Sequence, residues 1–136
     1  MVEIRTTKVE RHRALDFLTN AEEALWAARE CCENGKYTPA VIIAVHASIS
    51  ANDALGVWIS AARCSSEKHE DAADFLRRLD PANPDYQQNA KRLSSILGHK
   101  HASEYMGSRF TEREARAILQ DAERLLAFVR SQIKTN

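Results

Sequence analysis

Within the stretch RLSSILGHKHASEY, Arg92 to Tyr105, an arginine, two histidines, a lysine and a tyrosine fall in fourteen residues. Histidine shuttles a proton near neutral pH, while arginine or lysine holds a phosphate and its developing charge. Arg92 with His99 therefore supplies the minimum for metal-independent general acid and base chemistry on a phosphodiester. On a continuous helix their seven-residue step leaves them about 20° from alignment and roughly 10 Å apart along the axis, within reach of a shared substrate. His101 and Tyr105, four apart, form a second contiguous pair. Lys100 faces another way, beside Glu104, where the ordinary reading is an exposed ion pair worth a few tenths of a kcal/mol. Arginine and histidine also share a helix face by chance, so a solvated helix end is the plain alternative.

Two other chemistries fit less well. His99 and His101 are two apart on a helix, about 200° around, and cannot both face one zinc ion without unwinding near Gly98. No metal and no cofactor are expected. The cysteines are Cys31, Cys32 and Cys64. Adjacent cysteines rarely bridge each other and the odd count argues against a disulfide framework. Neither Cys31 nor Cys64 has a local base that would make it a nucleophile, and Cys32 falls on an apolar seam.

The elements that must position these groups read as helices. Four glycines and three prolines in 136 residues, amid abundant Ala, Leu, Glu and Arg, favour an all-helical chain, and no alternating strand pattern stands out. At this length one domain is expected over residues 1–136, with residues 1–8 as a flexible N-terminal arm. Balanced charge, 19 basic against 19 acidic groups, excludes the global signature of a nonspecific DNA binder but not a local basic patch. The polar start MVEIRTTKVERHR carries no apolar signal segment, so a reduced, cytoplasmic protein is the expectation.

Turn residues at ENGKYTP, RCSSEK, DPANPD and YMGSRFTE divide the chain into about five helices. The first is expected from about Val9 to Glu33, with Leu18, Ala21, Leu25, Ala28 and Cys32 as its seam. The second starts at Thr38-Pro39, a cap and a first-turn proline, and runs to about Ala62. A third follows Ser66 and stops before Pro81. The fourth restarts at Asn83-Pro84 and ends near Gly107. Thr111 with Glu114 forms a capping box that opens the last helix, whose buried stripe is Ile118, Leu119, Ala122, Leu125, Leu126 and Val129.

The second helix is apolar all the way round, with Asp53 as the one formal charge in VIIAVHASISANDALGVWISAA. Its polar residues suit the centre of a bundle better than lipid, so no membrane partner is expected. A charge in such a helix needs a partner or a cleft. His46, Ser50 and Asp53 share one face, which allows an internal hydrogen-bond set; alternatively Asn52 and Asp53 look into a polar cavity shared with the fourth helix.

Three stretches together resemble the HEPN domain family: ANDAL (Ala51 to Leu55) in the small-residue-rich second helix, HEDAADFLRRL (His69 to Leu79), and KRLSSILGHKHASEY (Lys91 to Tyr105) before a capped last helix. The resemblance implies a four- to five-helix up-and-down bundle that forms a two-fold dimer. Many members are metal-independent ribonucleases of toxin–antitoxin or defence systems, in which an arginine and, after four to six intervening residues, a histidine meet in a dimer cleft. Arg92 and His99 match that spacing as the implied catalytic pair, with Asn52, Asp53, Lys100 and Tyr105 binding or positioning substrate. RNA or a nucleotide is the implied ligand, and a nucleotidyltransferase-like antitoxin the implied partner. One departure is Leu93, where the family usually has a polar residue directly after the arginine. The subset with Lys and Tyr near this point, here Lys100 and Tyr105, implies a noncatalytic nucleotide- or protein-binding module instead. His69, at an ordinary first turn, is a weaker site candidate, and Arg63, Arg77 and Arg78 serve RNA-backbone contact or surface solvation equally well.

If two copies build one cleft, light scattering at tens of micromolar should return the mass of a dimer. A monomer at that concentration would count against the shared cleft.

Overall fold

The computed structural model describes residues 3–134. Strand β1 (Thr6–Lys8) and a 3₁₀ turn (Arg11–Arg13) precede α1 (Ala14–Glu33) and α2 (Tyr37–Ser60). Strand β2 (Ala62–Cys64), α3 (His69–Leu79), α4 (Pro84–Leu97), α5 (Lys100–Tyr105) and α6 (Glu112–Gln132) follow. The result is an all-helical bundle with one small sheet, in which α1 and α6 pack along α2 while α3 packs on α4.

α2 occupies the centre because nearly every side of it is apolar or small. Ala40, Val41, Ala44, Val45, Ala47, Ala51, Ala54, Leu55 and Val57 are all buried. Its length and apolar character would let it cross a bilayer, but here its neighbours take the place of lipid. Two of its hydroxyls bond back within the helix, Ser48 Oγ donating to the Ala44 carbonyl at 2.9 Å and Ser60 Oγ to that of Gly56 at 2.8 Å. The expected seam of α1 is buried at Ala21, Leu25, Ala28 and Cys32, with Leu18 partly so, and the whole expected stripe of α6 is buried. Each fully buried leucine, such as Leu55, Leu76, Leu93 and Leu125, contributes about 1.5–3 kcal/mol of transfer free energy.

The ends of the elements differ from the sequence reading in four places. Of the flexible arm expected over residues 1–8, residues 1 and 2 lie outside the described residues. Thr6–Lys8 is a strand that pairs antiparallel with β2, in the register Thr6 to Cys64, Thr7 to Arg63 and Lys8 to Ala62. Three-residue strands are too short to show alternation, which is why the sequence hides them. The first helix begins at Ala14, not Val9, because the Val9 N–H is committed to the Ala61 carbonyl at 3.0 Å. α2 takes in Tyr37, and Thr38 does not cap it; the Thr38 hydroxyl instead accepts from the Phe110 N–H at 3.1 Å, fixing the approach to α6. The fourth helix is broken: α4 stops at Leu97, the His99 N–H turns to the Ile96 carbonyl at 3.1 Å, and α5 starts at Lys100. The capping box of α6 forms as expected, with the Thr111 hydroxyl accepting from the Glu114 N–H and Glu114 Oε1 accepting from the Thr111 N–H.

Ala61 ends α2 in the left-handed region at φ 53°, and this tight reversal is what returns the chain alongside the helix as β2. Gly56 allows the return. A Cβ there would lie 2.5 Å from Phe75 Cε1 on α3 and 2.7 Å from the Ala62 carbonyl oxygen. Gly56→Ala should therefore lower stability by about 1–3 kcal/mol in urea titration, in spite of alanine's better helix propensity. An unchanged or raised midpoint would mean that α3 and β2 do not close over α2 at this point.

Candidate functional site

Where α2, β2, α3, α4 and α5 meet, the bundle leaves a cavity of about 220 Å³. Ile49, Ala72, Leu93 and Leu97 form apolar walls, Asn52 and Asp53 the polar floor, and Arg63, Glu67, Lys68, His69 and Lys100 the charged surround. The helix arithmetic explains this gathering. Ile49, Asn52 and Asp53 are three and four apart on α2, and Leu93, Leu97 and Lys100 follow the same spacing across the α4–α5 corner, so each set projects in one direction.

The floor carries the energetic anomaly of the molecule. Asn52 is 2% exposed, its amide donates to the Ala72 carbonyl at a long 3.4 Å, and its Oδ1 has no hydrogen-bond partner. A buried acceptor left unmet costs about 1–3 kcal/mol. Asp53 beside it is buried as well, and among the described residues no group hydrogen-bonds to its carboxyl. Desolvation pushes that carboxyl up to about 7, opposed only by the charge of Arg63. Both residues line the cavity, the Asn52 oxygen closed off beneath its surface and the Asp53 carboxyl without a hydrogen-bonding partner among the described residues.

The surround is held by the loop after β2. Ser66 Oγ donates to Asp71 Oδ2 at 2.6 Å and accepts from the Lys68 N–H at 3.2 Å, which fixes the loop and engages the Asp71 carboxylate. The Ser65 N–H donates to the Arg5 carbonyl at 2.9 Å, so the β1–β2 sheet braces the same loop. Cys64 is buried, and burial pushes its thiol up, away from the reactive thiolate. Lys100 borders both the cavity and an adjoining groove that includes His69, His101 and Tyr105. In that groove the rings of His101 and Tyr105 stand 5.6 Å apart, and Tyr105 is 70% exposed.

Of the residues singled out from sequence, Asn52, Asp53 and Lys100 come together at the cavity, with Tyr105 next door. Arg92 and His99 border neither space. Both lie on the α6 side of the α4–α5 corner. Arg92 donates to Asn89 Oδ1 at 2.7 Å, with Asp121 of α6 at 3.9 Å, and only 18% of its side chain is exposed. His99 sets its ring edge-on to Phe110, centroids 6.0 Å apart, near enough to Glu114 to favour that carboxylate. The helix breaks between Arg92 and His99, and the guanidinium is occupied by protein groups. His46 is exposed, so the internal set with Ser50 and Asp53 does not form. Neither does the Lys100–Glu104 ion pair appear among those of the described residues; Lys100 borders the cavity. Sequence reasoning missed Lys68 and the RCSSEK loop, which were read as punctuation; the signal was present in their charge, but their position depends on the sheet. Among the described residues, no three His, Cys, Asp or Glu side chains gather where they could hold one metal ion.

A HEPN domain model matches residues 14–132. Among solved structures, TT1696 from Thermus thermophilus superposes with a TM-score of 0.69 at 23% identity, covering 89% of this chain and 98% of its own. ST0689, an archaeal HEPN homologue, superposes with a TM-score of 0.66 at 24% identity, covering 90% and 98% respectively. At such identities the likeness speaks for the fold alone. No curated protein matches the chain.

Asp53 makes stability depend on pH in a definite direction. Its carboxyl is raised from 3.8 to about 7, so between those values the folded state keeps a proton that the unfolded state has released. The stability of the neutral form is complete below the unfolded value and is lost as pH rises through the folded one. Asp53→Asn removes the charge and should exceed the parent by roughly 2–4 kcal/mol near pH 8 while nearly matching it near pH 4, read by urea denaturation. An equal difference at both pH values would place Asp53 in solvent.

Proposed function

Because the chain belongs to the HEPN domain family, we propose that it acts as a nucleotide-binding helical module, working as a two-fold dimer, with the cavity over Asn52 and Asp53 as its site. The Asp53 carboxyl on the cavity floor carries this reading: a buried acid to which none of the described residues hydrogen-bonds, beneath apolar walls and a cationic mouth, is a recognition surface lacking its partner. Flat apolar walls suit the faces of a base. Arg63, Lys68 and Lys100 at the mouth outnumber Glu67 and draw the phosphate. Lys100 and neighbouring Tyr105 take binding roles and no catalytic one.

A second reading has its own observation. Arg92 and His99 lie on one side of the α4–α5 corner, against α6, with the spacing of the ribonuclease motif. In a two-fold dimer the symmetric copies of such a pair can meet in one cleft: one His99 takes the proton of a ribose 2′-hydroxyl as it attacks phosphorus, Arg92 stabilises the phosphorane, and the P–O5′ bond breaks with the leaving 5′-oxygen taking a proton from the other His99, so that a 2′,3′-cyclic phosphate and a 5′-hydroxyl end are the products. A toxin role, with a nucleotidyltransferase-like antitoxin as partner, belongs to this reading. It requires Arg92 to leave Asn89, which the binding reading does not.

Calorimetry with individual nucleoside monophosphates tests the first reading. Binding is expected in the wild type, and Lys100→Ala should weaken it about three- to tenfold by removing one phosphate contact. No binding at millimolar nucleotide would overturn it. Incubation with total RNA in EDTA separates the second reading: cleavage that His99→Ala abolishes would establish it, whereas intact RNA is the outcome expected of the binding module.

A further inference from the structure

Lys100 stands between two spaces, the cavity over Asp53 and the groove along α5. The two are continuous, because Glu67, His69, Leu97 and Lys100 line both, and beyond them the groove adds Gly98, His101 and Tyr105. At about 220 Å³ the cavity is smaller than the roughly 300–1,000 Å³ of pockets that enclose drug-sized ligands, and it takes a base without its sugar and phosphate. The groove, at about 360 Å³, leaves room for a second base beside it.

The far end of the groove suits a planar group. Tyr105 is 70% exposed, and the ring of His101, one helical turn before it, stands 5.6 Å away at an interplanar angle of 39°. A phenol ring left in water and flanked by an imidazole offers a face on which a base of any identity can stack. Around α5, His101 lies about 100° and Tyr105 about 140° from Lys100, so a chain leaving the cavity past Lys100 turns toward the two rings. Lys100 shares the junction with Glu67, the one carboxylate lining the groove among the described residues, while Arg63 and Lys68 add positive charge on the cavity side. The charge that His69 can carry is answered by Glu70, 3.8 Å away. An anionic linker passing between the two spaces therefore meets a net cationic passage.

From this continuity we propose that the α5 groove is a second base subsite, so that the preferred ligand is two linked nucleotides of a single strand: one base in the cavity, the linking phosphate at Lys100, and the next base stacked on Tyr105 beside His101. The inference rests on reading the cavity as a nucleotide site. It divides the work between the two spaces. The enclosed cavity discriminates among bases, while stacking on an exposed ring is tolerant of base identity and adds affinity for a chain over a single nucleotide. His101 is a positioning residue here, limiting how the Tyr105 ring can turn. No bond is made or broken, and Arg92 and His99 take no part.

The test is a calorimetric titration of the wild-type protein with AMP, UMP, the dinucleotides pApA and pUpU, and forms of both dinucleotides in which one ribose carries no base. The base-less forms keep every sugar and phosphate, so they match the dinucleotides in charge. Each dinucleotide should bind about fivefold or more tightly than its base-less forms. Tyr105→Ala should bring the dinucleotides down to the level of the base-less forms, whereas Tyr105→Phe, which keeps the ring and loses the hydroxyl, should retain the advantage. The side chain is exposed, so neither change puts folding at stake. Dinucleotides that bind no more tightly than their base-less forms, or an advantage that survives Tyr105→Ala, would overturn the second subsite while the nucleotide site stands. If no nucleotide of either length binds, both are overturned.

Discussion

Burying Asn52 and Asp53 on the central helix is the constraint to which the surrounding structure answers. α2 has apolar or small residues on almost every side, and its neighbours close over it accordingly. An amide and a carboxyl in that setting cannot be hydrated as they would be at the surface, and no protein donor reaches the Asn52 oxygen. Filling the space with apolar side chains would remove the cost. What the fold does instead is leave a cavity over the two groups and bring cationic side chains to its edge.

Several local features follow from keeping that space open. Ala61 in the left-handed region turns the chain at the end of α2, and Gly56 admits both Phe75 and the returning backbone. The β1–β2 pairing then holds the loop from Ser65 to Lys68 beside Asp53, with the Ser66–Asp71 bond closing it onto α3. On the opposite wall, Lys100 follows the break after Leu97 and borders the cavity. The α4–α5 corner has two distinct sides: Leu93, Leu97 and Lys100 border the cavity, while Arg92 and His99 lie toward α6. The cavity and the α6 seam thus draw on opposite sides of one corner, and Arg92, bonded to Asn89, is held on the seam side.

Much of this was legible in the sequence where periodicity is strong. The α6 stripe and its capping box, the α1 seam and the buried centre at α2 all follow from residue spacing and cap chemistry. That Asn52 and Asp53 look into a cavity bordered by the fourth helical stretch was one of two alternatives, and spacing alone did not choose between them. What was hidden depends on contacts distant in sequence. Strands of three residues carry no period, and the helix break at Gly98 and His99 has no proline to announce it. His46 shares a face with Asp53 on paper, but the two lie about 10 Å apart along the axis, and the bundle covers one end and not the other. Arg63 was visible as a candidate for phosphate contact, yet only the β1–β2 sheet places it at Asp53.

Asp53, buried on the floor of the cavity, is the group that an occupant would meet. Its carboxyl carbon can be followed directly by NMR through a pH titration, without and with saturating nucleotide. The account predicts a midpoint near 7 in the free protein, moving down when donors from the bound base meet the carboxylate. A midpoint near the ordinary 3.8, unmoved by nucleotide, would contradict it and return Asn52 and Asp53 to the role of packing residues.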